Sequence, residues 1–170
     1  ATPRGLAFNN DGTKMFVVGD TGNEINSYTL STGFDLSTAT FNDINGDGSG
    51  FDISGQEATP QYIKFNNDGT KMFVSGSTGA GVAEYTLSTA FDVSTASHVD
   101  TLDVSSHDNF PKGHAFNNDG TIMYVVGLTG KDVNQYNLST AFDVSTASYI
   151  NKFSVSSQET APMGITFNND

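Results

Sequence analysis

The 170-residue chain has no cysteine and no tryptophan, only four prolines, and seven basic residues against nineteen acidic ones. Without cysteine there is neither a disulfide nor a thiolate metal site, and the redox state of the compartment leaves no trace in the sequence. The formal charge of −12 argues against partners that demand a basic surface, nucleic acid and anionic lipid above all, and favours cations and neutral glycans. No apolar run approaches the ~18 residues of a membrane-spanning helix, and no signal-peptide pattern is present. This part of the chain is therefore expected to be soluble, with any targeting segment elsewhere. Gly-x-Ser-x-Gly, a phosphate-binding Gly-Lys-Ser/Thr and a His-Glu pairing are all missing. His98 and His107 give no zinc-ligand spacing.

What the chain does have is a repeat. The stretch Phe8-Asn9-Asn10-Asp11-Gly12-Thr13-Lys14-Met15-Phe16-Val17-Val18-Gly19 returns at Phe65 to Gly76 and again at Phe116 to Gly127, and Phe167-Asn168-Asn169-Asp170 begins it once more. The intervals are 57, 51 and 51 residues, a period of 51 with one insertion of six. A period of that length means a solenoid, a propeller or an array. Asn-Asp-Gly supplies residues that accept a left-handed backbone, as a tight hairpin loop requires. The β-branched and aromatic run after it reads as a strand apolar on both faces, which needs sheets stacked on either side.

Each unit resolves into four strands. Pro3, Pro60, Pro111 and Pro162 each stand five residues before the Phe of the motif, at the entry to a first strand expected over 5–8, 62–65, 113–116 and 164–167. The second strand follows the Asn-Asp-Gly turn and ends at a Thr-Gly turn. The third, over 24–30, 82–87 and 133–138, carries Tyr28, Tyr85 and Tyr136 as expected core. A Ser/Thr-rich connection follows, anchored by Phe34, Phe91 and Phe142. The fourth strand, over 98–104 and 149–155, is polar enough for an outer edge. Four antiparallel strands per unit make an all-β chain of β-propeller blades. Blade 1 spans about 3–57, blade 2 about 58–108 and blade 3 about 109–159, with a fourth starting over 160–170.

The pattern Pro-x-Gly-x-x-Phe-x-x-Asp-Gly-Thr-Lys-Met-Phe-Val at Pro3 to Val17 resembles the repeat of bacterial propellers with a Ser-Pro-Asp-Gly-x-x-x-Tyr-Val motif, which include YVTN-type surface proteins and lactonase-like and TolB-like propellers. Asn9-Asn10 stand where Ser-Pro is usual, and the connection between the third and fourth strands is longer. The resemblance implies a propeller. Its members include hydrolases, transport accessories and adhesins, so the fold alone carries no chemistry.

Since the chain starts and stops part-way through a unit, an excerpt of a longer polypeptide is one expectation. The other is two copies closing a six-bladed ring, each lending its spare first strand. Positions that differ between units fall on the connections into each first strand and on the Thr-Gly turns, which in a propeller share the face around the channel mouth. Arg4, Gln61 and Lys112 share one position there and offer hydrogen bonds to a sugar or carboxylate. His114 replaces Leu6, Ile63 and Ile165 in the first strand, a polar group expected either in the channel or as a bonded core residue. The insertion Asn45-Gly46-Asp47-Gly48-Ser49-Gly50 follows Asp43 and matches the first half of a calcium loop, with Asp43, Asn45, Asp47 and Asp52 as candidate ligands for Ca²⁺. Ser54 stands where that loop needs a bidentate Glu, so the other reading is a Gly-rich bulge. Together these give the expectation of a non-enzymatic propeller module of an exported, cell-surface or virion-surface protein that binds a glycan or protein. The alternatives are a metal-dependent lactonase-like hydrolase with its site in the channel, and a structural spacer.

Overall fold

The computed structural model describes residues 2–167. Three antiparallel sheets follow one another along the chain. The first contains β1 (Pro3–Phe8), β2 (Lys14–Gly19), β3 (Glu24–Leu30), β4 (Ala39–Phe41) and β5 (Phe51–Asp52). The second contains β6 (Pro60–Phe65), β7 (Lys71–Gly76), β8 (Gly81–Leu87) and β9 (Ala96–Asp103), and the third β10 (Pro111–Phe116), β11 (Ile122–Gly127), β12 (Asp132–Leu138) and β13 (Ala147–Ser154). Each is a meander with its first strand innermost, which is a propeller blade. The inner strands begin at the prolines, two residues earlier than expected, because each resumes pairing across a bulge, as between Pro3 and Gly5. In blade 1 the insertion splits the outer strand. β4 and β5 both pair with β3, and residues 42–50 loop out between them.

The repeated hairpin is held by its own side chains. Asp11 accepts hydrogen bonds from the Thr13 amide at 3.0 Å and hydroxyl at 2.6 Å, and Asn9 Oδ1 accepts the Lys14 amide at 2.9 Å. Those bonds keep the Asp11 carboxyl below its ordinary range, and Asp68 and Asp119 repeat the arrangement. Gly12 is required twice over. Its φ is +72°, and a Cβ there would come within 2.3 Å of the Phe34 ring. Phe91 over Gly69 and Phe142 over Gly120 make the same contact, so the anchoring of the Ser/Thr-rich connection is a ring laid on a turn glycine. Asp35, Asp92 and Asp143 then cap the short 3-10 turns that follow, each accepting an amide two residues on.

Apolar faces of adjacent blades form the core. Phe16, Val18 and Ile25 of blade 1 meet Ile63, Met72 and Tyr85 of blade 2. Phe73, Val82 and Val104 of blade 2 meet Phe116, Val125 and Tyr136 of blade 3. Tyr85 and Tyr136 are buried as expected, while Tyr28 is half-buried because no blade covers that face of blade 1. An ion pair within blade 2 reaches across the second interface through hydrogen bonds to the main chain of blade 3. Glu84 takes Lys71 Nζ at 2.6 Å and the Val144 amide at 2.8 Å, while Lys71 also donates to the Phe142 carbonyl at 2.8 Å.

The connections between blades carry a carboxylate latch. Glu57, buried, accepts the amides of Thr59, Thr78 and Gly79 and so ties the entry to β6 to the Thr-Gly turn of the same blade. Asp108 does the same one unit later through Phe110, Thr129 and Gly130. Replacing Asp108 by Asn keeps one carbonyl acceptor, loses the charge and turns an amide toward the N–H groups. We expect a loss of about 1–2 kcal/mol, read as a lower urea midpoint at unchanged slope.

The fourth first strand, expected over 164–167, is not formed as a strand. A strand requires a hydrogen-bonded neighbour, and the hairpin partner of a fourth unit is not among these residues. The segment nevertheless lies where the next inner strand belongs. A Cβ on Gly113 would meet Gly164 Cα at 3.1 Å, just as one on Gly5 would meet Tyr62 Cα at 2.9 Å, and Phe167 packs against Tyr124. The remainder of the repeated motif, Asn168 to Asp170, lies outside the described residues.

Candidate functional site

The inner strands β1, β6 and β10 expose two ends of a channel wall, and polar side chains gather at both. At the end where the blade connections and Thr-Gly turns meet, Arg4 pairs with Asp20 at 2.7 Å. Lys112 Nζ donates to Gln61 Oε1 at 2.9 Å, and Gln61 Nε2 donates to the Thr59 carbonyl at 3.1 Å. Partial burial lowers the Lys112 pKa, the nearby Arg4 charge lowers it further, and Asp20 and Asp108 pull the other way. The Arg4 hydrogen bond holds the Asp20 carboxyl below its usual range. Of the three residues singled out in the sequence, Lys112 and Gln61 are thus hydrogen-bonded to one another, while Arg4 is held by Asp20 and acts on Lys112 through its charge.

His114 does not join them. It is fully buried between blades 2 and 3, with Nδ1 3.0 Å from Ser75 Oγ and the rings of Tyr62, Phe73 and Phe116 edge-on around it. Of the two expectations for this residue, the hydrogen-bonded core position is the one observed, and the channel-facing role is corrected. Side chains of inner strands point toward neighbouring blades, and this position lies under blade 2. Desolvation, reinforced by the charge of Lys64, lowers its pKa to about 3, so the imidazole is neutral at pH 7. Its Nε2 is unpartnered, as are both amide atoms of Asn134 on the same sheet.

The candidate calcium loop is organised by hydrogen bonds of its own. Asp43 accepts the amides of Gly46 and Gly48, Asp47 accepts the Ser49 amide and hydroxyl, and Asn45 donates to the Gly50 carbonyl. Asp52 caps Ser54 instead of turning toward the loop. Among the described residues no three His, Cys, Asp or Glu side chains come together to hold a metal ion.

At the opposite end, beside the Asn-Asp-Gly turns, lies a cavity of about 240 Å³. Asn10, Asn67 and Asn118 line it, with Phe65, Phe116, Phe167 and Lys64. Sequence reading passed over Lys64. The signal was present: the same position holds Ala7 and Ala115 in the neighbouring units and Thr166 in the tail.

No protein-family model matches the chain, and no curated protein matches it. Solved structures do. A Bacteroides fragilis protein provisionally assigned as a 6-phosphogluconolactonase aligns at 16% identity and TM-score 0.64 over 90% of this chain and 39% of that one. The periplasmic gluconolactonase of Pseudomonas aeruginosa aligns at 12% and 0.63, over 90% and 41%. A chain of the nidogen/laminin complex aligns at 15% and 0.63, over 98% and 52%. The chain thus spans about two fifths of the length of these lactonase structures. Such likeness establishes the β-propeller fold. It also corrects the expectation that the chain has no enzymatic role: propellers named as gluconolactonases share its architecture, so the lack of a familiar catalytic motif does not exclude hydrolysis.

Proposed function

We propose that these blades belong to a propeller hydrolase acting on sugar lactones, with the substrate received at the mouth formed by Arg4, Gln61 and Lys112. One observation carries the reading. In a chain of net charge −12, two cations and an amide converge at a channel mouth, and the cations also influence one another. The names of the lactonase structures with this fold supply the substrate class. Hydrolysis of a lactone places negative charge on the carbonyl oxygen as water adds, then releases a hydroxyl and a carboxylate within the same product. A cation held at the carbonyl stabilises both the developing oxyanion and the carboxylate. Lys112 is suited to this by its position and its lowered pKa, and Gln61 fixes its direction. Arg4, paired with Asp20, is placed to bind the anionic or polyol end. The groups that activate water would come from further blades of a completed ring.

The test is turnover of glucono-δ-lactone and its 6-phosphate, measured as acid release with calcium and with chelator. Lys112→Ala is expected to lower kcat/KM by about 10²-fold while leaving the unfolding midpoint within error. Turnover equal to the wild type in that variant, or none with either lactone, overturns the reading.

A further inference from the structure

We propose that the cavity at the Asn-Asp-Gly end of the channel is a second ligand site, and that it takes a small anionic polyol, a sugar acid or sugar phosphate, by its charged group on Lys64. This concerns the end remote from Lys112 and stands without the hydrolase reading.

Three features define the occupant. Among the described residues Lys64 is the one charged residue to line the cavity. It is half-buried and has no hydrogen-bond or ion-pair partner among the described residues. Four other lysines have partners: Lys14 the Phe91 carbonyl, Lys71 Glu84, Lys112 Gln61 and Lys152 Asp132. An ammonium group so placed, near the neutral His114 whose pKa it depresses, attracts a carboxylate or phosphate. Next, the rim is amide. Asn10 donates to the Asn67 carbonyl at 2.9 Å and Asn67 to the Asn118 carbonyl at 2.7 Å. These bonds fix both side chains while leaving each a second N–H and a carbonyl oxygen, the pair that recognises a sugar hydroxyl. Last, the walls are apolar: the buried Phe65 and Phe116 close the base of the cavity, and Phe167, 41% exposed, offers a ring of the kind that packs against the C–H face of a sugar. The volume of about 240 Å³ falls below the ~300 Å³ at which drug-sized pockets begin, and so suits one monosaccharide unit.

The repeat supplies a benign variant. Lys64→Ala places at this position the residue that blades 1 and 3 already carry in Ala7 and Ala115, so folding is expected to survive. Gluconate, inorganic phosphate and glucose would be titrated into wild type, Lys64→Ala and Lys112→Ala by calorimetry, with the His114 ring resonances followed by NMR. Saturable binding of gluconate and of phosphate, a tenfold or greater rise in Kd in Lys64→Ala alone, and a shift of the His114 signals on binding are expected. Gluconate binding well above phosphate would assign the site to sugar acids. The reverse order, with the same Lys64 dependence, would assign it to phosphate esters. No binding to the wild type, binding that Lys64→Ala leaves unchanged, glucose binding as tightly as gluconate, or loss in Lys112→Ala instead would each overturn the proposal.

Discussion

At pH 4 the protein is expected to be about 3 kcal/mol less stable than at pH 7 on account of His114 alone. The folded-state pKa is about 3, whereas an unfolded histidine titrates near ~6.5. Between those values the unfolded chain binds a proton that the folded protein does not. The contribution is complete above the unfolded pKa and is lost progressively as the pH falls toward the folded one. The repeat again provides the control. Ile63 and Ile165 occupy the His114 position in other units, and Val18 and Val126 occupy that of Ser75. The double variant His114→Ile, Ser75→Val therefore removes the titrating group together with its hydrogen-bond partner. Carboxylates such as Asp11, Asp68 and Asp119, whose pKa values are lowered by threonine hydrogen bonds, also lose stabilisation in acid, but equally in both proteins. The stability difference between wild type and double variant, from urea unfolding at each pH, should change by about 3 kcal/mol from pH 7 to 4. A constant difference would mean that His114 is not kept neutral by the fold.

The second large effect is expected at Glu84. Its carboxylate is 1% exposed and that of its partner Lys71 25%, so Glu84→Ala leaves a half-sheltered ammonium and the buried Val144 amide without their acceptor. Removing one member of a buried pair costs about 3–5 kcal/mol, and the partial exposure of Lys71 places the expected value near ~3 kcal/mol. Blade 3 shows the remedy, carrying Ile122 and Gln135 where blade 2 has Lys71 and Glu84. Lys71→Ile combined with Glu84→Gln keeps an amide oxygen for Val144 and exchanges the ammonium for apolar surface. That double variant should recover most of the loss, within about 1 kcal/mol of wild type. If it is no better than Glu84→Ala, the interface depends on charge and not on satisfied hydrogen bonds.

The blades were legible because the same residues recur at one spacing: the turn glycines, the phenylalanines above them and the prolines at strand entry each read as local physics, and the structure uses them so. That Gln61 and Lys112 would lie side by side was legible for the same reason, since one repeat position must fall at equivalent places in neighbouring blades. For His114 the sequence left the channel and the bonded core both open, because a repeat position fixes the direction of a side chain without saying whether a neighbouring blade lies over it; the structure shows the bonded core residue. Glu57 and Asp108 were missed for a related reason. Their connections look variable, yet an acid holds this position in every unit that shows it, Glu159 included, and its partners are backbone amides that no side-chain pattern reveals. Lys64 stood in plain view as a lone cation in a column of small residues. Its meaning depended on the cavity around it.

The side-chain to main-chain bonds between blades share a direction. Asn10 reaches the carbonyl of Asn67, Asn67 that of Asn118, Lys14 that of Phe91 and Lys71 that of Phe142; Glu84 accepts the Val144 amide. In each case the side chain comes from the earlier blade and the main chain from the later one. As the polypeptide leaves the ribosome, every such contact therefore waits on a blade already made, and the newcomer need offer only its backbone in the common shape. A unit duplicated within the gene would arrive with that shape already in place, and could be taken into the array before its own sequence had adapted to its neighbours.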